Sequence, residues 1–326
     1  MRICVYGAGA IGGHLAVRLA RGGAKVSVLA RGPHLRAIQQ DGLLVQTTEG
    51  QLHARVQASD DPKTLGPQDA VLVTVKAPAL AAVASGIGPL LASDTPVAFV
   101  MNGIPWFYFH GIGGSLEGRR LPNIDPGDVL WHAVGPERAI AGIAYAASRV
   151  IAPGVIELEN PHSRVVLGEP DGRASERVQA IAAHISNGGM KAVVSTTIRD
   201  EIWNKLLGNL GNAPLAVLTQ KSIRELFQEP RCVEAARQVM QEAAAVARAL
   251  GATPDADHEK RITNGRGLDH KPSMLQDLEL GRPMEIDGMF GAPVDLARMT
   301  GVATPTLDLM VAMVKLRARA AKLYSR

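Results

Sequence analysis

The chain has 326 residues, 46% of them apolar and 20% charged, a composition that belongs to a folded protein and excludes disorder over the whole length. At roughly 150 residues per domain, two domains are expected. Thirty-five Lys and Arg against 31 Asp and Glu leave a net charge of +4, and the basic residues are spread along the chain instead of forming the stripe that neutralises a duplex, so no nucleic acid partner is expected.

The most apolar stretch, residues 77–93, is broken by Pro78, Gly86, Gly88 and Pro89. It cannot supply the ~20 apolar residues of a spanning helix, so no membrane partner is expected. The first apolar run starts at Ile3 and breaks at once into glycines, with no basic-then-apolar leader pattern, which gives a cytoplasmic location as the expectation. Cys4 and Cys232 fall in a predicted strand and a predicted helix, with no CxxC and no histidine cluster at metal spacing. Two reduced structural thiols and no metal follow.

Taken in chain order, short β-branched runs predict strands over 3–6, 25–29, 70–75, 97–101, 140–148, 155–158, 164–167 and 192–194. Segments of helical period over 9–21, 34–40, 79–91 and 176–186 separate several of them. Strands alternating with helices predict a mostly parallel sheet covered on both faces. After residue 196 the strand signal disappears, and helical patterns cover 198–219, 230–250, 272–300 with a break, and 304–324. The expected domains are therefore 1–195, α/β, and 196–326, helical. One segment departs from the alternation: 103–128 is rich in Gly and Pro, yet opens with Trp106, Phe107, Tyr108 and Phe109. Two kinds of role are open to it: a local hydrophobic plug, or a pocket wall, lid or subunit contact; separately, a homodimer is among the assemblies open to the chain.

Gly7-Ala8-Gly9-Ala10-Ile11-Gly12 directly follows the first strand and opens a helix. Gly7 permits the tight turn, Gly9 lets the backbone approach a pyrophosphate, and Gly12 allows close packing of a helix whose N-terminus attracts phosphate. An NAD site expects Asp or Glu at the end of the second strand, but 25–30 is followed by Arg31, with His34 and Arg36 beyond. The planar guanidinium of Arg31 suits a 2′-phosphate, and no carboxylate is expected there to repel one, so NADP(H) is favoured.

On a helical wheel over 202–212, Ile202, Trp203, Leu206, Leu207 and Leu210 fill one face. Lys205, Asn209 and Asn212 stack on the opposite side with Gly208 beside them, a surface on which a ligand could lie closely or simply a solvated face. Further on, Ser273 with Gln276 has capping-box spacing, Gly281 to Pro283 stop that helix, and Glu285 begins another. The cluster Asp255, Asp257, His258 and Glu259 fits a capped first helical turn better than a metal site.

These blocks together resemble the ketopantoate reductase (2-dehydropantoate 2-reductase) family over nearly the whole chain. The matching residues are the glycine motif, Arg31, Lys76 in Val73-Thr-Val-Lys76, Asn102-Gly103, Trp203-Asn-Lys205 with Asn209, and Ser273-Met-Leu-Gln-Asp with Glu285-Ile-Asp. The resemblance implies an N-terminal Rossmann-like NADP-binding domain followed by an all-helical C-terminal domain, with the active site in the cleft. It implies NADPH-dependent reduction of 2-dehydropantoate to pantoate, on the path to pantothenate and coenzyme A. Carried over position by position, Lys205 resembles the general acid and Glu285 its acidic partner at the substrate. Asn209 and Ser273 resemble substrate-binding groups, and Asn102 and Lys76 cofactor-side groups near the nicotinamide.

Two departures matter. The family's second asparagine, four residues beyond the one matched by Asn209, is Ala213 here, followed by Pro214. Asn212 shares the Lys205 face and could substitute, though one residue moves it by ~100° around the helix. Asn102-Gly103 is followed by the aromatic run where the family often has a short glycine turn. A different small 2-oxo acid therefore stays open as substrate, as does a non-catalytic NADP-sensing regulator.

Overall fold

The computed structural model describes residues 1–159 and 162–324. The chain divides into two compact units, Met1–Met101 with Pro105–Ile198, and Asn102–Ile104 with Arg199–Arg326.

The first unit alternates β1 (Arg2–Tyr6), α1 (Ala10–Arg21), β2 (Lys25–Leu29), α2 (Gly32–Asp41), β3 (Leu43–Thr47), β4 (Gly50–Ala54), β5 (Gln57–Ser59), β6 (Ala70–Val73), α3 (Leu80–Gly86) and β7 (Val97–Val100). It continues with α4 (Val129–Ala133), β8 (Ala139–Tyr145), β9 (Ser148–Ala152), β10 (Val155–Leu158), β11 (Arg164–Gly168), α5 (Glu176–Asn187) and β12 (Lys191–Val194). Eight strands form one sheet in the order β12-β11-β8-β7-β6-β1-β2-β5. Within it only β8 and β11 run antiparallel, so the sheet is mostly parallel and its central strands are buried on both faces, as the apolar runs of β1, β6 and β7 require.

A second sheet, β4-β3-β10-β9, was not evident from sequence. Its strands are short and half-exposed, and the β-branched run at 140–148 breaks at Tyr145 so that β9 can pair antiparallel with β10. The helical period at 79–91 survives only as α3, because Pro78, Gly88 and Pro89 convert its flanks to 3-10 turns.

Within 103–128, burial decides the part played by the aromatic run. Trp106, Phe107, Tyr108 and Phe109 are all buried, and Trp106 sets edge against Phe99, Phe107 and Trp131 at centroid distances of 5.6, 5.1 and 5.8 Å. The aromatic run is a plug beneath the loop, and neither a lid nor an exposed contact face: four rings in sequence bury too much apolar area to be left against water.

The second unit carries α6 (Ile198–Thr219), α7 (Ile223–Leu226), α8 (Pro230–Ala249), α9 (His258–Arg266), α10 (Ser273–Glu279), α11 (Ala292–Thr300) and α12 (Pro305–Ala320). No strand occurs among its described residues. A π-helical turn, Asp287–Gly291, runs directly into α11. Long α8 packs against α9, α11 and α12, and its buried Glu242 accepts from the Thr306 and Leu307 N–H groups at 3.1 and 2.8 Å, capping α12 from outside. No helix of the described residues is long and apolar enough to cross a membrane.

Candidate active site

The strand order marks where a nucleotide would be held. From β1 the chain runs to β2 on one side and returns through β6 on the other, so the carboxyl ends of these strands open around a topological switch point, where doubly wound sheets hold ligands. A cavity of about 260 Å3 lies there, lined among others by Gly7, Gly9, Arg31, His34, Asp60 and Val75.

Each glycine of the motif does a different thing. Gly7 has φ +105°, and a Cβ on it would meet Val75 Cγ1 at 2.6 Å. At Gly12 a Cβ would fall 2.0 Å from the Gly7 carbonyl oxygen and 2.2 Å from Thr74 Oγ1; that hydroxyl donates to the same carbonyl at 2.6 Å. Gly9, by contrast, has no atom within 4 Å of its Cβ position, and no side chain caps the start of α1. The first-turn N–H groups, those of Ala10 and Ile11 among them, receive no side-chain cap and follow the open Gly9 position, a cradle suited to a pyrophosphate. The residues present fit a dinucleotide.

Arg31 is exposed at the mouth of the cavity. Burial raises the pKa of Tyr6 in the cavity wall, and the Arg31 charge works against that rise. The end of β2 carries no carboxylate, as its sequence shows, but Asp60, at the end of the neighbouring β5, lines the same cavity as Arg31. It escaped the sequence reading because β5 has only three residues and no apolar alternation; the Asp60-Asp61-Pro62 turn signature was the one available signal. His34 was visible only as a neighbour of Arg31. It proves to bond the Ala8 carbonyl through Nε2 at 2.7 Å and the Gly154 N–H through Nδ1 at 3.0 Å. Lys76 is exposed and opens the 3-10 turn after β6 and Val75.

In the second unit, the wheel drawn for α6 matches the burial. Ile202, Trp203, Leu206, Leu207 and Leu210 are buried, whereas Lys205, Gly208, Asn209 and Asn212 are half-buried. Gly208 has no atom within 4 Å of its Cβ position, so the surface between Lys205 and Asn212 is open. Ala213 is only 1% exposed. Asn204, beside Lys205, belongs to the scaffold: its Oδ1 accepts from the Asp255 N–H at 2.7 Å and Arg261 Nη2 at 3.1 Å, and Arg261 Nη1 reaches its carbonyl at 3.1 Å. Arg261 was not found from sequence, since its partner lies 57 residues away. Asp257 caps α9 through the Lys260 N–H at 2.8 Å, which accounts for the acidic cluster there. Burial, and then the Arg261 charge, lower the pKa of His258.

Glu285 is 8% exposed and precedes the π-helical turn, which begins with Asp287; such turns recur at functional sites. Its backbone carbonyl accepts the Met289 N–H at 3.3 Å. The Asn102-Gly103 block comes to this turn: the Ile104 N–H donates to the Gly288 carbonyl at 3.1 Å. Gly103 has φ +85°, and a Cβ there would be 2.3 Å from the Gly288 oxygen. The structure thus joins blocks that lie far apart in sequence, 102–104 and 285–288. Ser273 is exposed on the first turn of α10. The capping box expected from Ser273 and Gln276 is absent, because Pro272 occupies the cap position and Gln276 Nε2 donates to the Lys271 carbonyl at 2.8 Å. Such a box does form at Ser222 and Glu225; the Ser222 N–H, then Lys221, hold that carboxyl down to about 2.

Residues 3–172 match the family model described as ketopantoate reductase PanE/ApbA, and residues 197–318 match its C-terminal model. The chain belongs to the ketopantoate reductase family. A 2-dehydropantoate 2-reductase of Mesorhizobium japonicum is 42% identical over 317 residues, 97% of each chain. Among solved structures, a Ralstonia solanacearum protein provisionally named a ketopantoate reductase superposes with TM-score 0.92 at 38% identity, covering 99% of both chains. The 2-dehydropantoate 2-reductase of Geobacter metallireducens follows at TM-score 0.86 and 26% identity, over 97% of this chain and 99% of that one. The ketopantoate reductase fold, a Rossmann-like α/β unit followed by a helical one, is the fold described above.

Proposed function

We propose that this chain catalyses the NADPH-dependent reduction of 2-dehydropantoate to pantoate. The observation that carries the reading is the 42% identity to a 2-dehydropantoate 2-reductase along 97% of the chain, and the nucleotide cradle and the Lys205 face support it. In this reading residues 1–195 bind the nucleotide and 196–326 bind the substrate.

NADPH, when bound, supplies the hydride that reduces the C2 carbonyl. Gly9 and the first-turn N–H groups of Ala10 and Ile11 would hold the pyrophosphate, with Gly7 turning the chain there and Gly12 letting α1 pack close, and Arg31 would take the 2′-phosphate in a charge-assisted contact. Asn102 and Lys76 serve the nicotinamide end. Asn209 and Ser273 bind the substrate, and Asn212 offers a further amide on the Lys205 face. As the alkoxide develops, the Lys205 ammonium gives its proton to the C2 oxygen; ketone, hydride and proton account for the alcohol. Glu285 is the acidic partner of that lysine at the substrate. A positioned acid of this kind contributes roughly 10² to 10⁴ in rate.

Ala213 favours one second reading, a small 2-oxo acid other than ketopantoate, because a polar group of the family pattern is replaced by a methyl. An NADP-sensing regulator is disfavoured by the presence of both Lys205 and Glu285. NADPH oxidation with a panel of 2-oxo acids tests all three: ketopantoate should give the highest kcat/KM. A higher value for another acid selects the second reading, and binding of NADPH without turnover of any acid selects the sensor. A cytoplasmic location, a homodimeric assembly and the lack of a nucleic acid partner belong to the same proposal. Sedimentation of the purified protein tests the assembly.

A further inference from the structure

We infer that Asp60 is a specificity-determining residue that opposes Arg31 in the nucleotide cavity, and that it gives the protein a measurable affinity for NADH beside NADPH. The inference rests on the nucleotide reading above. Strands β2 and β5 are parallel neighbours with Leu29 opposite Ser59, and the Ala30 N–H donates to the Ser59 carbonyl at 3.0 Å. The chain therefore leaves the two strand ends side by side, with Arg31 on one and Asp60 on the other. Both line the cavity and both are exposed. No ion pair joins them among the described residues, so neither charge is cancelled by contact with the other.

The two cofactors differ only at the ribose 2′ position, where one carries a phosphate of about two negative charges and the other a hydroxyl. The end of the second strand of such a fold is where that position is read. A guanidinium there favours the phosphate through paired charge-assisted bonds. A carboxylate is an acceptor only, so it repels the phosphate and accepts from a ribose hydroxyl. With both present, discrimination becomes the difference of two opposing effects. Arg31 sets the preference for NADPH, and Asp60 reduces its size.

Titration calorimetry of the purified protein, without substrate, tests this directly. The unsubstituted protein should bind NADPH more tightly than NADH while binding both. Asp60→Asn removes the charge and keeps the shape, and should raise the ratio of NADPH to NADH affinity about fivefold, the scale expected for one exposed charge contact. Asp60→Ala should raise the ratio at least as far, through weaker NADH binding. Arg31→Ala should bring the ratio close to one or invert it. A ratio in Asp60→Asn within twofold of the unsubstituted value overturns the role of Asp60, whereas failure of the unsubstituted protein to bind either nucleotide overturns the reductase reading itself. Because Asp60 is exposed, unchanged melting temperatures of the two variants confirm that the ratio reports the cavity and not the fold.

Discussion

His34 accepts the backbone N–H of Gly154 through Nδ1 at 3.0 Å, which fixes the proton of the neutral ring on Nε2, where it donates to the Ala8 carbonyl at 2.7 Å. One imidazole thus ties the glycine-motif turn at Ala8 to the β9–β10 turn of the small sheet. His34→Ala should weaken NADPH and NADH binding by a similar factor of about ten, since what is lost is the position of the turn and not a contact to the 2′ group. His34→Gln, which keeps a donor and an acceptor, should recover part of the loss. A change in the NADPH to NADH ratio would instead show that His34 reads the ribose. Two lost hydrogen bonds should also cost about 1–3 kcal/mol of stability, measured by urea unfolding.

Lys205 is half-buried on α6, one turn before Asn209. Lys205→Ala should lower kcat at least about a hundredfold while leaving the NADPH dissociation constant nearly unchanged, because in the proposed reaction the ammonium is needed as charge develops on the substrate oxygen. If kcat falls less than tenfold, a different group supplies the proton.

Gly208 separates stability from function on the same helix. With no atom within 4 Å of its Cβ position, Gly208→Ala fits the fold and should stabilise the helix by up to about 1 kcal/mol, the difference in helix propensity. The added methyl nevertheless stands on the face shared by Lys205 and Asn212. A higher melting temperature together with a raised KM for the 2-oxo acid is the expected outcome. An unchanged KM would show that this face is solvated and that substrate lies elsewhere.

What the sequence made legible follows from range. The glycine motif, β1, β2 and α6 are local patterns of period and turn chemistry, and α6 spans Ile198–Thr219, the interval its periodicity predicts. Asp60, the Arg261 clamp on Asn204 and the Glu242 cap of α12 are tertiary facts. The residues they meet or share a cavity with lie 29 to 65 positions away, and no local spacing marks them. The aromatic run at 106–109 was ambiguous for the opposite reason: its composition is visible, but composition alone does not say which way four rings face. The small sheet was missed because β3, β4 and β9 lack the continuous apolar run that marks a buried strand.

His14 predicts an acid limit to stability. It is buried on α1, where loss of hydration first, and the neighbouring Arg18 charge second, push its pKa down to about 4 from 6.5. Between these values the unfolded chain binds a proton that the folded protein refuses, so stability falls as pH drops from 6.5 toward 4. Over the whole interval the effect is about 3 kcal/mol. His14→Gln should flatten the decline in melting temperature between pH 7 and 5. An unaltered slope would assign the acid sensitivity to other groups.

The substrate pocket should read the 4-hydroxyl of ketopantoate weakly. Ala213 carries this expectation, because the family pattern has an asparagine at that position and this chain has a methyl. A site rejects an analogue lacking a hydroxyl strongly only when its own buried polar group is then left unpaired. At Ala213, 1% exposed, the side chain is a methyl and leaves nothing unpaired. The 4-deoxy analogue should therefore be reduced with a kcat/KM within about tenfold of that for ketopantoate, a gap of no more than ~1.4 kcal/mol. Ala213→Asn places the missing amide back at the family position and should widen the gap, provided the variant melts near the unsubstituted protein; Asn212→Ala should leave it unchanged. A thousandfold preference in the unsubstituted protein that collapses in Asn212→Ala would reverse the assignment, making Asn212 the group that reads the hydroxyl despite its rotation around α6.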